Sequence, residues 1–64
     1  MPTKFRELEE MLRDAGWTFH HATGSHYIFT HPTRGRVTVP FHGRNSDIAP
    51  GTLRDILKRT GIVK

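Results

Sequence analysis

The chain has no cysteine, which excludes a disulfide framework and any zinc site built on thiolates and fits a reducing compartment such as the cytoplasm. It also has no apolar run near the ~18 residues that a membrane-spanning helix requires. Its charged opening, with Glu7, Glu9 and Glu10, offers no signal-peptide apolar segment, so no membrane association is expected. Acidic groups are scarce as well: 6 Asp and Glu against 10 Lys and Arg leave a net charge of +4, with an isoelectric point near 10.4. That balance points to polyanions or an acidic partner. Length is the remaining scarcity. With 64 residues the chain is expected to form one domain, residues 1–64. A domain this short buries only about 60% of its unfolded surface, too little for a wide internal pocket, so chemistry is expected at the surface and without a cofactor.

What is present reads as a helix, three strands and a second helix. From Lys4 to Ala15 the apolar residues Phe5, Leu8, Leu12 and Ala15 recur at helical spacing, with Thr3 as the expected N-cap and Gly16 as the left-handed stop. The period then changes to two. Trp17 and Phe19 alternate with Thr18 and His20, Thr23 to Ser25 form a turn, and Tyr27 to Thr30 is rich in β formers. His31 to Gly35 break the pattern before Arg36 to Phe41 resumes it, with Val37 and Val39 facing away from Thr38. A polar loop is expected from His42 to Asp47. Pro50 suits a first helical turn, Leu53, Ile56 and Leu57 supply an apolar stripe, and Gly61 ends the second helix. Short links between strands imply an antiparallel three-stranded sheet with both helices on one face, an α+β domain. No repeat, low-complexity run or linker interrupts it.

Charge is unevenly placed. Residues 1–14 carry −1 and residues 15–64 carry +5, so the first helix reads as a solvated face with (i, i+4) pairs, Arg6 with Glu10 and Glu9 with Arg13. Arg34, Arg36 and Arg44 have no acid among them and, with Lys58 on the last helix, form a candidate phosphate-binding surface. Five histidines stand in the chain, and histidine is the residue type that exchanges a proton near neutral pH. His20, His21, His26, His31 and His42 lack paired metal-ligand spacing, so no metal site is expected. His20 reads as an exposed strand residue, and His31, beside Pro32, as a turn residue held by ring hydrogen bonds. His26 differs: it follows Gly24 and Ser25, where a phosphate can approach bare backbone and a hydroxyl. If Phe29 is in the core, alternation also sends His26 to the solvent side.

The segment Gly24, Ser25, His26, Tyr27, Ile28, Phe29 resembles the G-S-H segment of HicA-type toxins, the small mRNA interferases of bacterial and archaeal toxin–antitoxin pairs. His31 and Pro32, the Val37 to Pro40 strand followed by His42, and Pro50, Gly51, Thr52, Leu53, Arg54, Ile56 and Leu57 resemble the same family in order. Phe41, between Pro40 and His42, stands where many relatives carry a basic or polar residue. The resemblance implies a double-stranded-RNA-binding-domain-like α-β-β-β-α fold, a metal-independent endoribonuclease activity in which His26 is essential, and inhibition by a HicB-type antitoxin. The second helix opens Ala49, Pro50, Gly51, Thr52, without the lysine cluster with which duplex binders begin theirs. Single-stranded mRNA is therefore the expected substrate.

In the mechanism expected, His26 removes the ribose 2′-hydroxyl proton. The oxygen then attacks the adjacent phosphorus while Gly24, Ser25 and nearby arginines donate to the phosphate. His42 is the candidate for returning a proton to the leaving 5′-oxygen, with solvent as the alternative. A noncatalytic RNA-binding module, in which His26 is only a contact, is the competing function.

Overall fold

The computed structural model describes residues 3–63. Along the chain run β1 (Thr3–Lys4), α1 (Phe5–Asp14), β2 (Thr18–Thr23), β3 (His26–His31), β4 (Gly35–Pro40), β5 (Asp47–Ile48) and α2 (Pro50–Thr60). Strands β2, β3 and β4 form an antiparallel sheet in that order, and the α-β-β-β-α arrangement expected from the sequence is present. Alternation sorts the sheet into two faces. Phe29, Val37 and Val39 point inward and meet Phe5, Leu8 and Leu12 of α1, Trp17 and Ile56 of α2, so both helices cover one face. Tyr27 and Phe41 extend this core, their rings stacked at 4.3 Å and each set edge-on to Phe5. Phe41 is thus a packing residue.

Helix α1 begins differently from the sequence expectation. Thr3 is not its N-cap: Thr3 pairs with Ile48 and Lys4 with Asp47 in a second, two-stranded sheet of β1 and β5. Lys4 is the capping residue, and its amide donates to Glu7 Oε1 at 3.0 Å. The next two amides are satisfied from far along the chain, Phe5 N donating to Ser46 O at 2.9 Å and Arg6 N to Arg44 O at 3.1 Å. Since the first helical amides have no partner within the helix, the 43–46 segment serves as their cap. The loop expected to run to Asp47 therefore ends a residue early, in β5. The expected Arg6–Glu10 pair is absent among the described ion pairs; Glu9–Arg13 is present at 3.4 Å.

The remaining boundaries follow local chemistry. Gly16 has φ +93° and stops α1; a Cβ there would stand 3.2 Å from His31 Nε2. Pro50 occupies the first turn of α2, and Gly61, at φ +78°, closes it. Strand β2 is longer than its alternation suggests: Thr23, expected in the turn, still pairs with His26. It is also irregular. Phe19 pairs with Phe29 and His21 with Ile28, which leaves His20 as the extra residue of a β-bulge.

Candidate active site

Thr23 and His26 are joined by two residues, Gly24 at φ +56° and Ser25. Positive φ confined to the first linking residue is the pattern of a type II′ turn, which matches strand twist and calls for glycine at that position. A Cβ on Gly24 would meet nothing within 4 Å, so the front of the turn is open. Ser25 O accepts from Phe41 N at 2.6 Å, extending the β3–β4 ladder one step beyond the His26–Pro40 pair. His42 follows Phe41 directly, just beyond the end of this ladder. Gly24, Ser25, His26 and His42 thus gather at one end of the sheet.

His26 is exposed while Phe29, three residues on, is fully buried. The odd spacing puts the two side chains on opposite faces, as alternation requires. His26 therefore stands on the solvent face with Ile28 and Thr30. Among the described residues no side chain hydrogen-bonds its ring, which leaves both nitrogens open to a ligand. His42 is also exposed. Its carbonyl accepts from Ser46 Oγ, and Ser46 N donates to Gly43 O, so the backbone around it is fixed by its own loop.

The basic residues are spread over several elements and differ in their partners. Arg36 pairs with Thr30 and shares the solvent face with His26, near the other end of β3. Arg34 lies in the β3–β4 turn, five residue steps or roughly 17 Å along the strand from the level of His26. Its guanidinium rests over Gly61, where a Cβ would come within 2.5 Å of Nη1. There it faces the carbonyl end of α2, which also carries Lys58 and Arg59. Lys58 is exposed, whereas Arg59 is paired to Asp55 at 3.0 Å. Arg44 reaches Glu9 Oε1 at 3.2 Å, and Glu9, only 7% exposed, also holds Arg13. No acid lies between Arg34, Arg36 and Arg44 along the chain, but α1 brings Glu9 to Arg44 in three dimensions.

The bulge at His20 has a consequence that alternation alone misses. With Phe19 inward, a regular strand would send His21 inward too. The inserted residue reverses the parity, so Ala22 shares the inner face with Tyr27, and His21 lies opposite Ile28 on the solvent face. His20 and His21 are in contact, their Nδ1 atoms 2.6 Å apart and their rings edge-to-face at 4.8 Å.

Two surface grooves among the described residues lie away from His26. One of about 450 Å³ lies along α1 between Glu9, Arg13 and Arg44, and one of about 310 Å³ lies beside Leu53 and Leu57 of α2. The candidate site is an open sheet face, the kind of location open to so short a chain. The family model described as HicA toxin of bacterial toxin-antitoxin matches residues 5–62. The chain belongs to the HicA toxin family. A search of curated proteins finds no match. The family match runs from the first residue of α1 to just past Gly61, so it takes in both helices, the whole sheet and the Gly24–His26 turn. As a toxin-antitoxin toxin, this HicA family member has a cognate antitoxin as its partner. No described helix is long and apolar enough to cross a membrane.

Proposed function

We propose that this toxin is an endoribonuclease that cleaves single-stranded mRNA in the cytoplasm, and that His26 is its general base. The observation that carries the reading is the open Gly24–Ser25 turn beside an exposed, unengaged His26 on the solvent face of the sheet. A phosphodiester set against the turn meets backbone and the Ser25 hydroxyl, with the imidazole alongside. His26 takes the 2′-hydroxyl proton, the 2′-oxygen attacks phosphorus, and the bond to the 5′-oxygen breaks. The products are a 2′,3′-cyclic phosphate and a free 5′-hydroxyl. DNA, lacking the 2′-hydroxyl, is not a substrate, and the chemistry asks nothing of a metal.

Arg36 on the same face holds flanking phosphates. Arg34 and Lys58 at the end of α2, and Arg44 once it exchanges Glu9 for phosphate, contribute sequence-independent attraction. The antitoxin, of HicB type, inhibits by covering the His26 face. Labelled single-stranded RNA incubated in EDTA with the wild type and with His26→Ala tests this. Cleavage by the wild type alone, leaving cyclic phosphate ends, supports it. Products bearing 5′-phosphates, or RNA bound by both proteins and cut by neither, would overturn it, the second outcome favouring a binding module.

A further inference from the structure

A base that removes one proton leaves a second proton transfer unassigned, because the departing 5′-oxygen must be protonated. Resting on the ribonuclease reading, we propose that His21 is the general acid that supplies that proton, and that His20 positions it.

The argument begins with register. His21 is opposite Ile28 and Thr23 is opposite His26, so His21 and His26 are diagonal neighbours on one face of the β2–β3 pair. Such neighbours stand about 7–8 Å apart, a gap across which two long or aromatic side chains can both reach a group placed between them. This juxtaposition exists only because His20 is inserted into β2. In a regular strand His21 would face the core and the aromatic cluster of Phe19, Tyr27 and Phe29. The bulge thus re-aims a titratable ring toward the candidate base, a use for which such irregularities are well suited.

The contact with His20 completes the assignment. Two Nδ1 atoms 2.6 Å apart suit a hydrogen bond in which one ring donates and the other accepts. When His21 is the imidazolium, its Nδ1–H donates to His20 Nδ1 and its Nε2–H is left to point at substrate. After transfer to the 5′-oxygen, neutral His21 retains its Nδ1 proton and the same hydrogen bond. His20 therefore fixes both the ring orientation and the tautomer, the role that a third group plays in other acid–base constellations. The step balances: the 2′-hydroxyl proton goes to His26, the new bond joins the 2′-oxygen to phosphorus, the bond to the 5′-oxygen breaks, and that oxygen leaves with the proton of His21. Exchange with water resets the pair. His42, the acid expected from the sequence, lies outside the ladder in a loop and has no second imidazole to orient it.

The test compares wild type, His21→Ala, His42→Ala, His20→Ala and His26→Ala on two versions of one single-stranded RNA. In the second version the cleaved linkage carries a bridging 5′-sulfur, whose thiolate leaves without being protonated. His21→Ala is expected to lose about 10²-fold or more on the oxygen substrate and to approach wild type on the sulfur substrate, whereas His26→Ala loses on both. His20→Ala shows a smaller loss with the same sulfur rescue, which a merely structural role would not produce. Sulfur rescue of His42→Ala in place of His21→Ala would assign the acid to His42 and overturn the proposal. His21→Gln and thermal melts guard against a folding defect. Equal losses of His21→Ala on both substrates, or none on either, overturn the proposal while a surviving His26 effect leaves the ribonuclease reading intact. Wild type inert toward both RNAs ends both.

Discussion

At one end of the sheet, Gly24 and Ser25 join β2 to β3 with an open face. At the other, the link from β3 to β4 is filled: Thr33 N donates to His31 Nδ1 at 3.1 Å, the His31 ring lies 5.1 Å from Trp17, and Arg34 covers Gly61. Strand β3 begins with one histidine and ends with another, and the odd spacing between them decides their fates. His26 faces solvent with its ring unengaged; His31 is half-buried and its nitrogen is used by the turn. The same residue type on the same strand is left unengaged at one end and built into a turn at the other, and which is which depends on parity and on the neighbours supplied by other elements.

The change that should abolish the distinction altogether lies between them. Phe29→Ala removes a fully buried ring at the centre of β3 and should cost about 3–5 kcal/mol, visible as loss of a cooperative melting transition. His26→Ala should lower RNA cleavage by about 10²–10⁴-fold with an unchanged melting temperature. A melting temperature that fell in parallel would mean that His26, too, is architectural. His31→Ala should show the converse, a drop of about 4–8 °C in melting temperature with cleavage per folded molecule retained.

A finer division comes from the turn glycines. Gly24 at φ +56° and Gly35 at φ +88° both face empty space, so alanine at either should cost about 1 kcal/mol for the left-handed backbone alone. Cleavage should fall only for Gly24→Ala; equal activity in the two variants would detach the open turn from the chemistry. The smallest effect expected is that of Arg36→Ala, which should weaken RNA binding uniformly across sequences and reduce the salt slope by about one. Arg44→Ala should change that slope less, because Glu9 already engages its guanidinium.

Much of this organisation is legible in the sequence, and the parts that are not share a cause. Local signals carry the two helices, their glycine stops, Pro50, and the alternation that buries Phe29 and exposes His26. The ring hydrogen bond of His31 follows from its place beside Pro32. By contrast, Thr3 looks like a cap until Ile48 claims it for a strand, and Arg44 looks free until α1 presents Glu9. Those partners are more than 30 residues away and carry no local trace. His21 is a different case: the signals for a strand are intact, but a single inserted residue inverts which side chains face solvent, and nothing in the run His20, His21, Ala22 announces it.

The carbonyls of Arg44 and Ser46 that complete the start of α1 bear on the order in which the chain folds. A helix of 10 residues is marginal in water by itself, because nucleation is costly and few bonds repay it. Here its first amides and the pairing strand beside it are furnished by residues 44–48, which leave the ribosome after the whole sheet. The first helix to be synthesised is thus among the last to be secured, and a nascent chain halted before residue 44 holds the Gly24–His26 turn without the scaffold that keeps it in place.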